Sequence, residues 1–183
     1  MKEISLNILD IAENSVKAGA SLTEIYVYED GDTLTLTIKD DGHGMDEETL
    51  KSVTDPFYTT RKTRKVGLGV PLLKLACEQT DGSFSVASST SATDHGTTVT
   101  AVFNKNHIDF TPLGDVTATI VTLIQGHPDT DFLFRHGMKD GEVALDTREI
   151  REVLEEIPLD TYEVISWIRD NLKDQYDEII NKI

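Results

Sequence analysis

Residues 33–38 read Thr-Leu-Thr-Leu-Thr-Ile, a strict alternation of polar and apolar side chains. A strand with one buried and one open face has that two-residue period. A second run, 23–29, precedes it across Asp30-Gly31-Asp32, whose glycine suits a hairpin turn. Paired strands are therefore predicted over 23–29 and 33–39, and a second pair over 83–89 and 97–103. Strands that follow one another in pairs favour an antiparallel or mixed sheet with helices on one side.

The helices are read from their spacing. Ile4, Ile8 and Ile11 recur at helical intervals, and Gly19 sits where a helix stops, so 3–18 is predicted helical. A short helix is expected over 46–53 and another over 68–80, ending near Asp81-Gly82. The stretch 54–67 lacks periodicity and reads as a mobile loop. Beyond His107 the pattern changes. A helix over 115–125 is followed by a small hairpin (130–136 and 141–145, around Lys139-Asp140-Gly141). A helix over 148–156 with Thr147 as its cap comes next, then an amphipathic helix over 160–180. The expected architecture is α/β (α+β), a two-layer sandwich. A first unit spans 1–106, and 107–183 form a small C-terminal α+β extension with no evident chemistry.

Charge narrows the partners. The formal net charge is −16, with 16 acids and 10 bases in residues 1–106 and 17 acids and 7 bases in 107–183. Such a surface repels nucleic acid and anionic lipid, so neither is expected as a partner. The exception is local: Arg61, Lys62, Arg64 and Lys65 lie within five residues. No run is long enough for a membrane-spanning helix, no signal-peptide segment opens the chain, and Cys77 is the one cysteine. A cytoplasmic location is the expectation. His43, His95, His107, His127 and His136 read as surface histidines in loops or at strand edges.

Four clusters carry candidate chemistry. Asp10, Asn14 and Lys17 are spaced i, i+4, i+7 and share one stripe of the first helix. A carboxamide oxygen there can complete a magnesium shell, an ammonium can reach phosphate, and a carboxylate can orient or deprotonate water. A solvated polar face has the same spacing. Asp40-Asp41-Gly42-His43-Gly44-Met45 ends a strand. Its carboxylate can accept from the exocyclic amine of adenine, and its glycines let the backbone turn beside a flat base; an ordinary Asp-Gly turn is the plain alternative. Asp55-Pro56-Phe57-Tyr58-Thr59-Thr60-Arg61-Lys62 precedes Val66-Gly67-Leu68-Gly69-Val70, and glycines at a helix start expose N–H groups to phosphate. Last, Gly96-Thr97-Thr98 opens a strand where a hydroxyl can reach the base, although threonine is also a common strand residue.

In this order, on these elements, the clusters resemble the N, G1, F with G2, and final Gly-Thr motifs of the GHKL ATPase superfamily, the Bergerat fold. That group holds histidine kinases, gyrase-type topoisomerases, MutL-type repair proteins and related chaperones. The resemblance covers about residues 1–105. It implies ATP and Mg2+ as cofactors, held in a two-layer fold under a flexible lid. By position it implies Asn14 as the magnesium ligand and Asp40 as the adenine reader. Gly42, Gly44 and Met45 then lie beside the base, with Thr97 near it. Phe57, Thr59, Thr60 and Lys62 match the lid anchor, while Gly67, Leu68 and Gly69 match the lid at the phosphates. Lys17 resembles the basic residue that follows the asparagine in many histidine kinases.

Departures from the pattern matter too. Hydrolytic branches carry Glu four residues before the asparagine as general base; here Asp10 stands there, one methylene shorter. Asp41 replaces a frequent asparagine, and Lys65 a frequent lid glycine. The resemblance includes no acceptor histidine on a helical hairpin ahead of the fold, so autophosphorylation is not expected. As a whole the chain is similar to small stand-alone histidine-kinase-like ATP-binding proteins of anaerobic bacteria, often encoded near iron hydrogenases. Three functions stay open: a slow ATPase or nucleotide-gated regulator of a protein partner, a kinase acting in trans on a partner, and a nucleotide-binding module without turnover.

Overall fold

The computed structural model describes residues 3–54 and 69–181. Its elements are α1 (Ile4–Lys17), β1 (Leu22–Asp30), β2 (Thr33–Asp40), α2 (Glu47–Thr54), α3 (Gly69–Glu78), β3 (Ser83–Thr90), β4 (His95–Asn104), α4 (Val116–Gly126), β5 (Asp131–Met138), β6 (Gly141–Asp146), α5 (Thr147–Leu154) and α6 (Tyr162–Ile180). The strands form one mixed sheet in the order β3-β4-β2-β1-β5-β6. All neighbours run antiparallel except β1 and β5, which are parallel. Among the described residues no helix is long and apolar enough to cross a membrane.

The predicted alternation sets the inner face. Leu34, Leu36 and Ile38 are buried while Thr33, Thr35 and Thr37 are not. The register carries this parity across the sheet. One cross-strand row reads Val86, Val99, Ile38, Ile25, Phe134, Leu145; the next reads Phe84, Ala101, Leu36, Val27, His136, Val143. Helices α1, α3, α4 and α6 supply Ile8, Leu73, Ile120 and Ile168 to the same core. Fully burying each such side chain is worth about 1.5–3 kcal/mol, and together they join helices and sheet in a two-layer α+β fold.

The hairpin expected after residue 130 extends the main sheet instead of pairing only with itself. β5 runs beside β1 from Leu22↔Asp131 to Tyr28↔Gly137. Without it β1 would be an edge strand with unpaired N–H and C=O groups. Two expectations need correction. Thr147 does not cap α5: Asp146 does, accepting from Arg148 N at 3.0 Å. The Thr147 hydroxyl is drawn inward, donating to Asp131 at 2.9 Å and accepting from Phe132 N at 2.8 Å. His136 is no surface histidine but is 3% exposed on the inner face of β5, because it shares parity with Phe132 and Phe134.

Candidate functional site

Parity also places Asp40. It lies two residues beyond Ile38, on the inner face, in a row that reads Ser88, Thr97, Asp40, Thr23. The two core rows are apolar except for His136; this last row, at one end of the sheet, is polar. Asp40 is 8% exposed. Its Oδ2 accepts from the Ser15 hydroxyl of α1 at 2.6 Å. Its Oδ1 accepts from Gly42 N at 3.0 Å and Thr97 N at 3.2 Å. A carboxylate offers about four lone-pair positions, so three donors orient the group and leave capacity for one more. Thr23, directly opposite on β1, is fully buried, and its hydroxyl has no hydrogen-bond partner among the described residues.

The backbone around this carboxylate is closely approached. Gly44 has φ +71°, and a Cβ there would stand 1.8 Å from Ser89 O. Gly96 has φ +134°, and its Cβ would stand 2.0 Å from Asp40 O. Both positions require glycine. A Cβ on Gly42 would meet the Ala18 Cβ at 2.9 Å, so the glycine turn lies flat against the end of α1. His43 N donates to Ala18 O at 3.0 Å. Ser88 Oγ accepts from Met45 N at 2.8 Å and lies 2.9 Å from Thr97 Oγ1, tying the segment after β2 to the strand ends. Asp41 points elsewhere. It accepts from Ser21 N at 2.8 Å, Leu22 N at 2.9 Å and the Ser21 hydroxyl. Partial burial raises its carboxyl pKa, but these hydrogen bonds outweigh burial and hold it below the usual carboxylate range.

The α1 stripe divides. Asn14 is half-buried in the same turn as Ser15, and its carboxamide takes no hydrogen bond among the described residues. Asp10, one turn earlier, is exposed; a Cβ on Gly69 at the start of α3 would meet the Asp10 Cβ at 2.9 Å, with Oδ2 at 3.5 Å. Lys17 is turned to solvent, 72% exposed, in a loose 3.8 Å pair with Glu13. Thus Asp40, Gly42 and Thr97 are joined by hydrogen bonds, Gly44 and Met45 adjoin them through Ser89 and Ser88, and Asp10 meets Gly69. Phe57, Thr59, Thr60, Lys62, Gly67 and Leu68, with the lid reading, lie outside the described residues. Sequence reasoning missed Ser15, Ser88 and Thr23. Strand parity would have found the last two, since Ser88 follows Val86 by two residues and Thr23 precedes Ile25 by two; Ser15 follows Ile11 by four on the buried face of α1.

Comparison with known proteins fits this geometry. The family model described as "Histidine kinase-, DNA gyrase B-, and HSP90-like ATPase" matches residues 2–107. Among curated relatives, Sporulation kinase C of Bacillus subtilis is 30% identical over 88 residues, 48% of this chain and 20% of that protein. Sporulation kinase E of the same organism is 34% identical over 88 residues, 48% of this chain and 12% of that protein. The chain thus matches only a small part of these relatives. Among solved structures, the Aquifex aeolicus MutL ATPase domain complexed with ADP superposes with a TM-score of 0.52 at 15% identity, over 85% of this chain and 70% of that one. The N-terminal domain of a DNA repair protein gives 0.56 at 18% identity, over 80% and 53%; at these identities the likeness is one of fold. With the motifs, the sheet and a family match over more than half its length, the chain belongs to the histidine kinase-, DNA gyrase B- and HSP90-like ATPase family.

Proposed function

We propose that this chain binds ATP with magnesium at the Asp40 end of the sheet, and that it works as a slow ATPase or as a nucleotide-gated regulator of a protein partner. The carrying observation is the Asp40 carboxylate, oriented by three donors with room for one more. A base amine is a donor of the right kind. The orphan Thr23 hydroxyl in the same row supports a further polar contact, direct or through water. Among the described residues no group of three His, Cys, Asp or Glu side chains is arranged to hold a metal alone. Magnesium carried on phosphate needs only one or two protein oxygens, and the uncommitted Asn14 carboxamide suits that role. Asp10 is the candidate to orient or deprotonate water. Bound magnesium would neutralise phosphate charge; the chain's own part is to fix the base and align the phosphate tail.

The test is calorimetric titration of ATP with and without magnesium, followed by a phosphate-release assay. Magnesium-dependent binding with slow release supports the reading; indifference to adenine nucleotides overturns it. Release that survives Asp10→Asn removes Asp10 as the base. A second reading, phosphoryl transfer to a partner, is favoured by the kinase names of the curated relatives. Label passing from γ-labelled ATP to a co-purifying protein would select it, and tight binding without release or transfer would leave a binding module.

A further inference from the structure

Helix α5 is held in place by its polar side. Asp146 caps it, Arg148 doubles back on Asp146 at 2.6 Å, and Arg151 bonds Asp131 at 2.7 Å and the Pro128 and Thr130 carbonyls. An amphipathic helix of eight residues normally depends on burying its apolar stripe. Here Ile150 and Leu154 are only partly covered, and Val153 is 82% exposed. The exposed apolar surface continues along the chain: Ile157 in the following turn is 54% exposed, and Tyr162 at the start of α6 is 79% exposed.

The same segment is acidic and uncompensated. Glu149, Glu152, Glu155, Glu156, Asp160 and Glu163 are all exposed, and none forms an ion pair among the described residues. The two bases of the segment are committed to other acids, Arg148 at the surface with Asp146 and Arg151 with Asp131. Exposed apolar anchors interspersed along the chain with acids of one sign define the occupant by complementarity. A second copy of this chain would set six carboxylates against six across a twofold axis, a like-charge arrangement that disfavours association. Anionic lipid and nucleic acid are repelled for the same reason.

We infer that the α5–α6 turn docks a basic amphipathic segment of a partner protein, with Val153, Ile157 and Tyr162 as anchors and the carboxylates interspersed among them in the chain pairing with its Lys and Arg. The surface stands apart from the nucleotide reading, since it requires no ATP. The probe is a synthetic Leu–Lys helical peptide, about 18 residues long so that it presents a continuous apolar face, titrated into the intact chain without nucleotide while backbone amide shifts are followed. A peptide of the same composition with the pattern scrambled and a Leu–Glu peptide serve as controls. Docking predicts shifts concentrated in residues 147–163 and affinity at least about tenfold above the scrambled control. Val153→Asp should weaken binding about tenfold or more. Joint Glu152→Lys and Glu156→Lys should weaken it and flatten its salt dependence. All three positions are exposed, so folding is retained, and the amide spectrum reports it. Equal binding of the scrambled or Leu–Glu peptide, shifts centred elsewhere, or a dimer in sedimentation that Val153→Asp dissolves would overturn the proposal.

Discussion

The inner face of the sheet carries a buried polar cluster at each end, and the two differ in what they leave open. At one end Asp40 retains acceptor capacity, and the Thr23 hydroxyl has no partner among the described residues. At the other end every group is answered. His136 Nε2 donates to Glu29 at 3.0 Å, and its Nδ1 accepts from the Tyr176 hydroxyl of α6 at 2.8 Å. Glu29 also takes Lys105 Nζ at 2.8 Å. The carboxylate only accepts, so the tautomer follows: the proton is on Nε2. Burial pushes the His136 pKa down despite Glu29, and keeps the ring neutral. Burial also pushes the Tyr176 hydroxyl up, so it remains a donor. Burial raises the Glu29 pKa, but Lys105 and His136 more than offset it and hold the group ionised. A closed network fastens α6 across β5 and β1; the open one retains hydrogen-bonding capacity, which the proposed function assigns to the nucleotide.

The contrast can be broken at either end. Asp40→Asn should have the largest effect on binding. It loses a charge-assisted contact worth about 1.5–3 kcal/mol, read by calorimetry as a fall of ten- to a hundredfold or more in ATP affinity. Thermal stability should change little, because an amide oxygen can still accept from Gly42 and Thr97. Equal losses of affinity and stability would make Asp40 a structural group. His136→Ala should behave in reverse. It leaves Glu29 and Tyr176 short of a buried partner, at about 2 kcal/mol of stability in denaturant unfolding, with ATP affinity nearly unchanged.

Protonation is a gentler way to open the same cluster. His136 is held neutral below its ordinary pKa of 6.5, so the unfolded chain takes up its proton first as pH falls. The stabilisation is therefore complete above about pH 6.5 and declines as the solution is acidified toward the lowered folded value. His136→Gln should remove that step from a plot of unfolding free energy against pH. If the step persists, another group titrates there. The smallest effect is expected from Thr23→Val, which keeps the shape and removes a hydroxyl with no partner among the described residues. Stability should hold or rise by up to about 1 kcal/mol, whereas ATP affinity should drop a few-fold. A clear loss of stability would mean that the hydroxyl is already satisfied in the folded protein, and the two ends would then be alike.

Local sequence fixed the period of each element. The Thr-Leu alternation predicted β2, the isoleucine spacing predicted α1, and Gly42 and Gly44 marked a tight turn at the end of β2. The same parity, extended two residues past Ile38, would have placed Asp40 on the face of the core, a step that the predicted end of the strand at residue 39 did not take. What the linear pattern left undecided was every pairing between distant segments. Nothing in residues 130–138 says that they will lie parallel to 22–28, since β1 and β5 meet through backbone groups that all residues share. That pairing turned His136 inward and set it between Glu29 and Tyr176, 107 and 40 residues away. The β5–β6 hairpin in turn brings the Thr147 hydroxyl to Asp131 and Phe132, away from the helix-capping role. Periodicity is a local property that steric and solvation preferences impose within a few residues. Which buried polar groups find partners, and which remain open, is decided only when the tertiary fold brings remote strands and helices together.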